Sequence, residues 1–315
     1  MMSLKKLKDY LFLTSFFLFI GTLAASSTDV RIELSLTIGE DYKFKTTTNQ
    51  VSYETVNGVE QDVKRNLTFE YVLTPKRKDS NSNFYAQLKF TRITLEIIAD
   101  GFTSSFDSKI NANQNLSFSW MKSNAALVNS TFDLILSNSG EIIEIKDNEQ
   151  LMNKAASLVF DQKEEIGKQI REALLNTLSI STLKQMLEMS IVSSPEFSIY
   201  PRSFWTNSES VTNLITLKYA NGFIVKSIDN NEIIIDLMST IAAFEVDKKV
   251  VNGSEVTYKL LGSTVGSLTV KRNLGLVSNF ESTQKISGTV TSYVNGVKKE
   301  LPLDVEIRTK TERIK

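Results

Sequence analysis

Neither cysteine nor histidine occurs anywhere in the 315 residues. Without histidine the chain lacks the commonest general base near neutral pH, and with it the Ser-His-Asp and Cys-His nucleophile systems. The two absences together remove the usual zinc ligands. Without disulfides, a chain outside the cytoplasm must be held by its core alone, which suits a large β-rich body better than a small stapled module. A surplus of either charge is missing as well, since 36 Lys plus Arg stand against 36 Asp plus Glu. That balance offers no basic footprint for nucleic acid or an anionic bilayer, so no nucleic-acid partner is expected.

Long apolar runs are absent after the first stretch, which opens with Lys5, Lys6 and Lys8. An apolar run from Leu11 to Ile20 follows, and then small residues from Gly21 to Ser27. This is the order of a secretory signal peptide. The apolar core falls short of the roughly 20 residues that a spanning helix needs. The sequence therefore predicts a signal peptide over residues 1–25, cleaved near Ala24 to Ser26, with an uncleaved anchor as the alternative. The expected product is exported, periplasmic or extracellular and soluble, with no spanning segment after the leader. With no cysteine to carry a lipid, it is not expected to be a lipoprotein.

What is present is period-two patterning. Val30, Ile32, Leu34 and Leu36 alternate with charge or hydroxyl, the mark of a half-buried strand. Leu67, Phe69, Tyr71 and Leu73 repeat the pattern, as do Phe84, Ala86, Leu88 and Phe90, followed by Ile93, Leu95 and Ile97. The change of parity between Phe90 and Ile93 predicts a bulge. Asn57-Gly58, Asn221-Gly222, Asn252-Gly253 and Asn295-Gly296 are read as hairpin turns, because both residues tolerate positive φ.

Between about Asp147 and Ser193 the period lengthens. Asp147 with Gln150, Asp161 with Glu164, and Thr182 with Gln185 are candidate openings of three helices, the second carrying Ile166, Ile170, Leu174 and Leu178. The predicted organisation is a first antiparallel β unit over 26–147, a helical insert over 148–195 and a second antiparallel β unit over 196–315. Two similar phrases, "FDLILSNSGEIIEIKDN" around Gly140 and "GSLTVKRNLGLVSNFES" around Gly275, suggest that one β unit is used twice. The expected fold class is thus α+β, with two curved half-barrels joined by helices.

No catalytic signature emerges. The neighbouring acids Glu40-Asp41, Glu141 with Glu144, and Glu164-Glu165 fit solvated or helix-capping positions better than the two separated carboxyl groups that glycoside hydrolysis needs. No calcium loop or cofactor motif occurs, so no metal and no cofactor are predicted. Phe197, Tyr200, Phe204 and Trp205 cluster around Pro201 just after the helical insert. Tyr200, Phe204 and Trp205, with the distant Trp120, are candidates for a ligand groove or partner surface. A linker stapled into the core is the plainer reading of the same cluster.

The phrases "LTIGEDYKFKTTTNQ", "FTRITLEI", "LSNSGEIIEIKDNEQL" and "YPRSFWTNSES", in that order, resemble an uncharacterised family of exported proteins from Bacteroidota that carries a domain of unknown function. The family pattern near the aromatic cluster is close to P-x-x-x-V-x-x-G-x-x-W. Here Pro201 and Trp205 stand at shorter spacing and the glycine is missing. Many members look lipid-anchored, a property that does not carry over to a chain without cysteine, and the resemblance implies no activity. Helices over a curved sheet leave a concave face, similar to carriers of lipid or lipoprotein chains. The leading expectation is an exported, non-catalytic binding or envelope-maintenance protein that holds an apolar ligand, with lipid or another envelope protein as partner. A surface interaction protein is the alternative, and a carboxylate-dependent hydrolase a third.

Overall fold

In a strand successive side chains face opposite ways, so period-two sequences fold into sheets with one apolar face. The computed structural model describes residues 29–56, 59–100, 102–111, 121, 124–125, 127–128, 130–146, 180–212, 216–251, 254–294 and 297–314. The first half contributes β1 (Tyr42–Val56), β2 (Val59–Lys78), β3 (Phe84–Ala99), β4 (Phe102–Asp107), β5 (Thr131–Leu136) and β6 (Ile142–Lys146). A short helix α1 (Ser108–Asn111) follows β4, and helix α2 (Ile180–Glu188) precedes the second half. There β7 (Phe204–Thr212), β8 (Thr216–Ile228), β9 (Glu232–Val251), β10 (Ser254–Lys271), β11 (Leu276–Val294) and β12 (Val297–Ile314) follow in turn.

All twelve strands join one antiparallel sheet in the order β6-β5-β3-β2-β1-β12-β11-β10-β9-β8-β7, with β4 paired to the far end of β3. This corrects the expected α+β class and the division into two β units joined by a helical insert: the described fold is nearly all β, and the halves are one sheet. The reason is the pairing of β1 with β12 from Lys43↔Ile314 to Tyr53↔Asp304. Two separate units would each leave a long open edge of unpaired backbone, and this ladder closes both. Residues 148–179 of the expected insert, with the openings at Asp147 and Asp161, lie outside the described residues. Thr182 does not open a helix, since α2 already runs from Ile180.

Several local expectations hold. The ladder slips between Glu70 and Tyr71, whose partners are Arg92 and Phe90, so Thr91 is the bulge and Phe90 and Ile93 are both buried. Ladders close on Val56↔Val59, Val251↔Ser254 and Val294↔Val297, although the Asn-Gly pairs between them lie outside the described residues. Asn221-Gly222 is not a turn but sits in mid-β8, paired to Asn207 and Thr206. Its missing side chain leaves room for the Phe204 ring, 3.2 Å from where a Cβ would stand.

Val30, Ile32, Leu34 and Leu36 are buried, as alternation predicts. They belong to no ladder, however. The segment lies against the sheet's apolar side, where the Leu34 and Ser35 amides donate to the carbonyls of Asn138 and Leu274. Those carbonyls belong to the β5–β6 and β10–β11 turns, the two phrases that looked alike. Gly140 and Gly275 hold left-handed backbone there, with φ of 86° and 69°. Below this segment a buried chain of hydroxyls runs from Ser190 through Tyr71 and Thr46 to Thr311.

A Cβ on Gly275 would stand 2.3 Å from the Glu33 carbonyl oxygen, whereas Gly39, with φ of 84°, has nothing within 4 Å. Gly39→Ala is expected to cost about 1–2 kcal/mol for its left-handed backbone alone. Gly275→Ala is expected to cost clearly more in urea unfolding, because it also pushes residues 33–34 away. Equal losses would contradict the seating of the N-terminal segment on this turn.

Candidate functional site

Trp205, Asn207, Glu209 and Val211 share the apolar side of β7. Straight across the sheet, register pairs Asn207 with Asn221, Asn221 with Ser239, Ser239 with Thr264 and Thr264 with Gln284. A row of polar side chains therefore crosses five strands on the face that elsewhere forms the core. On one side of it lie Phe223, Leu237, Leu268 and Phe280, and on the other Tyr219, Ile241, Leu260 and Ile286. Residues of β7 through β12 line one cavity. At about 4.8 Å between neighbouring strands, they can do so only because the sheet curls.

Helix α2 covers the cavity. Leu183, Met186 and Leu187 pack into the first-half core, which turns Gln185 and Glu188 toward the opposite side. That division follows from the helical period, which puts residues three and four apart on one face. The cavity measures about 100 Å³ and opens to solvent on one side.

Glu188 and Glu209 are the charged groups of the lining, and they share a hydrogen bond. The Asn221 amide donates to Glu209 Oε1 at 3.1 Å and to Asn207 Oδ1 at 2.9 Å. Burial first, and then the charge and hydrogen bond of Glu209, push the Glu188 carboxyl up to about 8, with Lys184 pulling the other way. Gln284 Nε2 donates to the Tyr219 hydroxyl at 3.3 Å, and burial raises that phenol. Ser239 is 6% exposed and Thr264 8%, and among the described residues neither hydroxyl has a partner.

The sequence candidates fall apart across this geometry. Trp205 is buried and stacked on Phe223 at 5.2 Å, with its indole N–H unpartnered. Phe204, one residue earlier, faces outward and is 56% exposed, and Tyr200 is exposed in the preceding turn. Trp120 and the pair Glu164-Glu165 lie outside the described residues, while Glu141 and Glu144 are solvent-exposed. Sequence reasoning missed Glu188, Glu209, Asn221, Ser239 and Thr264. A signal existed: Asn207 and Glu209 sit at core parity between Trp205 and Val211, and Asn221 between Tyr219 and Phe223. Reading Asn221-Gly222 as a turn hid it.

These features define an all-β protein with a small, partly polar cavity in the concave face of a curled sheet. The chain belongs to a family of unknown function, DUF6263, whose profile matches residues 81–277. No curated relative matches the sequence. Solved structures it is similar to include OccK5 (OpdH) of Pseudomonas aeruginosa, at 8% identity over 88% of this chain and 99% of that one, with a TM-score of 0.26. An outer membrane channel from Pseudomonas putida F1 follows at 7% identity over 90% and 98%, with a TM-score of 0.20. At such scores the likeness carries no argument. On the outward face of β11 and β12, Lys310 stands against Glu281 at 3.2 Å across the two strands, and Arg308 against Glu306 at 2.7 Å along β12. Among the described residues no helix is long and apolar enough to cross a membrane.

Glu188 holds its proton in the folded chain at pH values where an unfolded glutamate, near 4.5, has lost it. Its contribution to stability is therefore complete below that pH and is lost as pH rises through about 8. Melting temperature is expected to fall between pH 5 and 8, and Glu188→Gln, which keeps a donor without the titration, is expected to remove much of that fall. Parallel melting profiles for the two proteins would contradict the assignment.

Proposed function

We propose that this is an exported, non-catalytic binding protein of the cell envelope whose concave sheet face holds one small, half-polar ligand. One observation carries the reading: Ser239 and Thr264, residues more than nine-tenths buried, turn hydroxyls that bond to nothing among the described residues into a cavity beside a carboxyl pair. Core positions at this parity are otherwise apolar, and nothing in the packing requires two hydroxyls there. A ligand that hydrogen-bonds them accounts for their placement. The size of the cavity favours a small molecule over the acyl chain of a lipid. Direct hydrogen bonding of Glu188 to Glu209 also sets the pair apart from the glycosidase arrangement, in which two carboxyls stand roughly 5–9.5 Å apart around the scissile bond.

A second reading, a surface interaction protein, has support in the outward faces of β7, β9 and β10, where Phe204, Met238, Phe244, Leu261 and Val265 are exposed. Self-association that disappears in Val265→Lys by sedimentation would favour it.

Native mass spectrometry of the protein purified from its own host is expected to show a stoichiometric small molecule. Thr264→Val is expected to lose that molecule while being about as stable as the ligand-free parent, because the hydroxyl it deletes bonds to nothing among the described residues. An apo mass for the parent, with Thr264→Val destabilised, would contradict ligand binding at this face.

A further inference from the structure

Electrostatics narrows the ligand class. The cavity lining carries Glu188 and Glu209, with no lysine or arginine among its described residues, and every other polar group in it is neutral. Lys184 on α2 and the Tyr219 phenol on β8 are the other titratable groups acting near the pair, and Lys184 does not reach the lining. Two carboxyls forced together in a desolvated site hold one proton between them, and a bound cation can take that proton's place. An ammonium offers three N–H donors, enough to engage both carboxylates and one further acceptor. The side chains of Tyr219, Phe223 and Phe280 give the same lining an apolar part, which favours a cation with an apolar body.

Resting on the binding reading above, we propose that the cavity takes a small primary amine. Its ammonium sits between Glu188 and Glu209, and its aliphatic part lies against Phe223, Leu237, Leu268 and Phe280. Binding then exchanges one cation for one proton: the amine enters as R–NH3+, and the proton held by the pair leaves to solvent. An alcohol of the same shape can hydrogen-bond but cannot displace the proton.

The test is calorimetric titration of the full chain with n-butylamine and with n-butanol at pH 7, in two buffers of different ionisation enthalpy. The expected result is amine binding at least tenfold tighter than the alcohol, with up to one proton released per amine. Glu188→Gln and Glu209→Gln, each checked for folding by circular dichroism, are expected to abolish the preference for the amine. Butanol binding as tightly as butylamine would overturn the amine assignment and leave the binding reading standing. If neither probe binds and the protein from its own host has an apo mass, both fail. Amine preference that persists in Glu188→Gln and Glu209→Gln would overturn the seat assigned here.

Discussion

The pairing of β1 with β12 is the constraint on which the rest depends. It brings together residues as far apart in sequence as Thr46 and Thr311, whose hydroxyls lie 2.8 Å apart in the core. Long-range closure of this kind is slow to form and entropically costly. Its return is a single sheet whose gap falls between β6 and β7 rather than at the chain ends. The connection from β6 to β7 carries α2, and the segment after it turns into the concave side. There Ser190 meets Tyr71, and the Val277 amide donates to the Ser190 carbonyl. The helix that covers the cavity is thus held by the same hydroxyl chain that ties the two terminal strands.

From that arrangement follows the conflict that marks the site. A curled sheet with one apolar face should fill its concavity with hydrocarbon, as β1, β2, β3 and β5 do around Phe44, Tyr71, Phe90 and Phe132. Across β7 to β11 the same face is interrupted by a polar row beside Glu209, and α2 sets against it Glu188, whose carboxyl burial pushes toward the protonated form. Local violations of the packing rule of this kind concentrate at functional sites.

Much of this was legible in the sequence, and the limit has a physical origin. Alternation gave the buried faces of Val30 to Leu36, of β2 and of β3, and the parity break gave the bulge at Thr91, because both are properties of a single strand. Which strand pairs with which is a property of two distant segments, so the union of the halves through β1 and β12 was not readable, and neither was the all-β class. The site failed for a related reason. Glu188 and Glu209 belong to different elements, and only the position of α2 over β7 makes them a pair. Adjacent Phe204 and Trp205 looked like one aromatic surface, yet a strand must send them to opposite faces.

The most direct test is a crystal structure of the protein purified from its own host, with attention to the space between α2 and β7 to β11. The account requires density for a small organic molecule with a polar group hydrogen-bonded to Glu188 or Glu209 and another contact to Ser239 or Thr264. A cavity closed by side chains, with those two hydroxyls paired to protein, would contradict it.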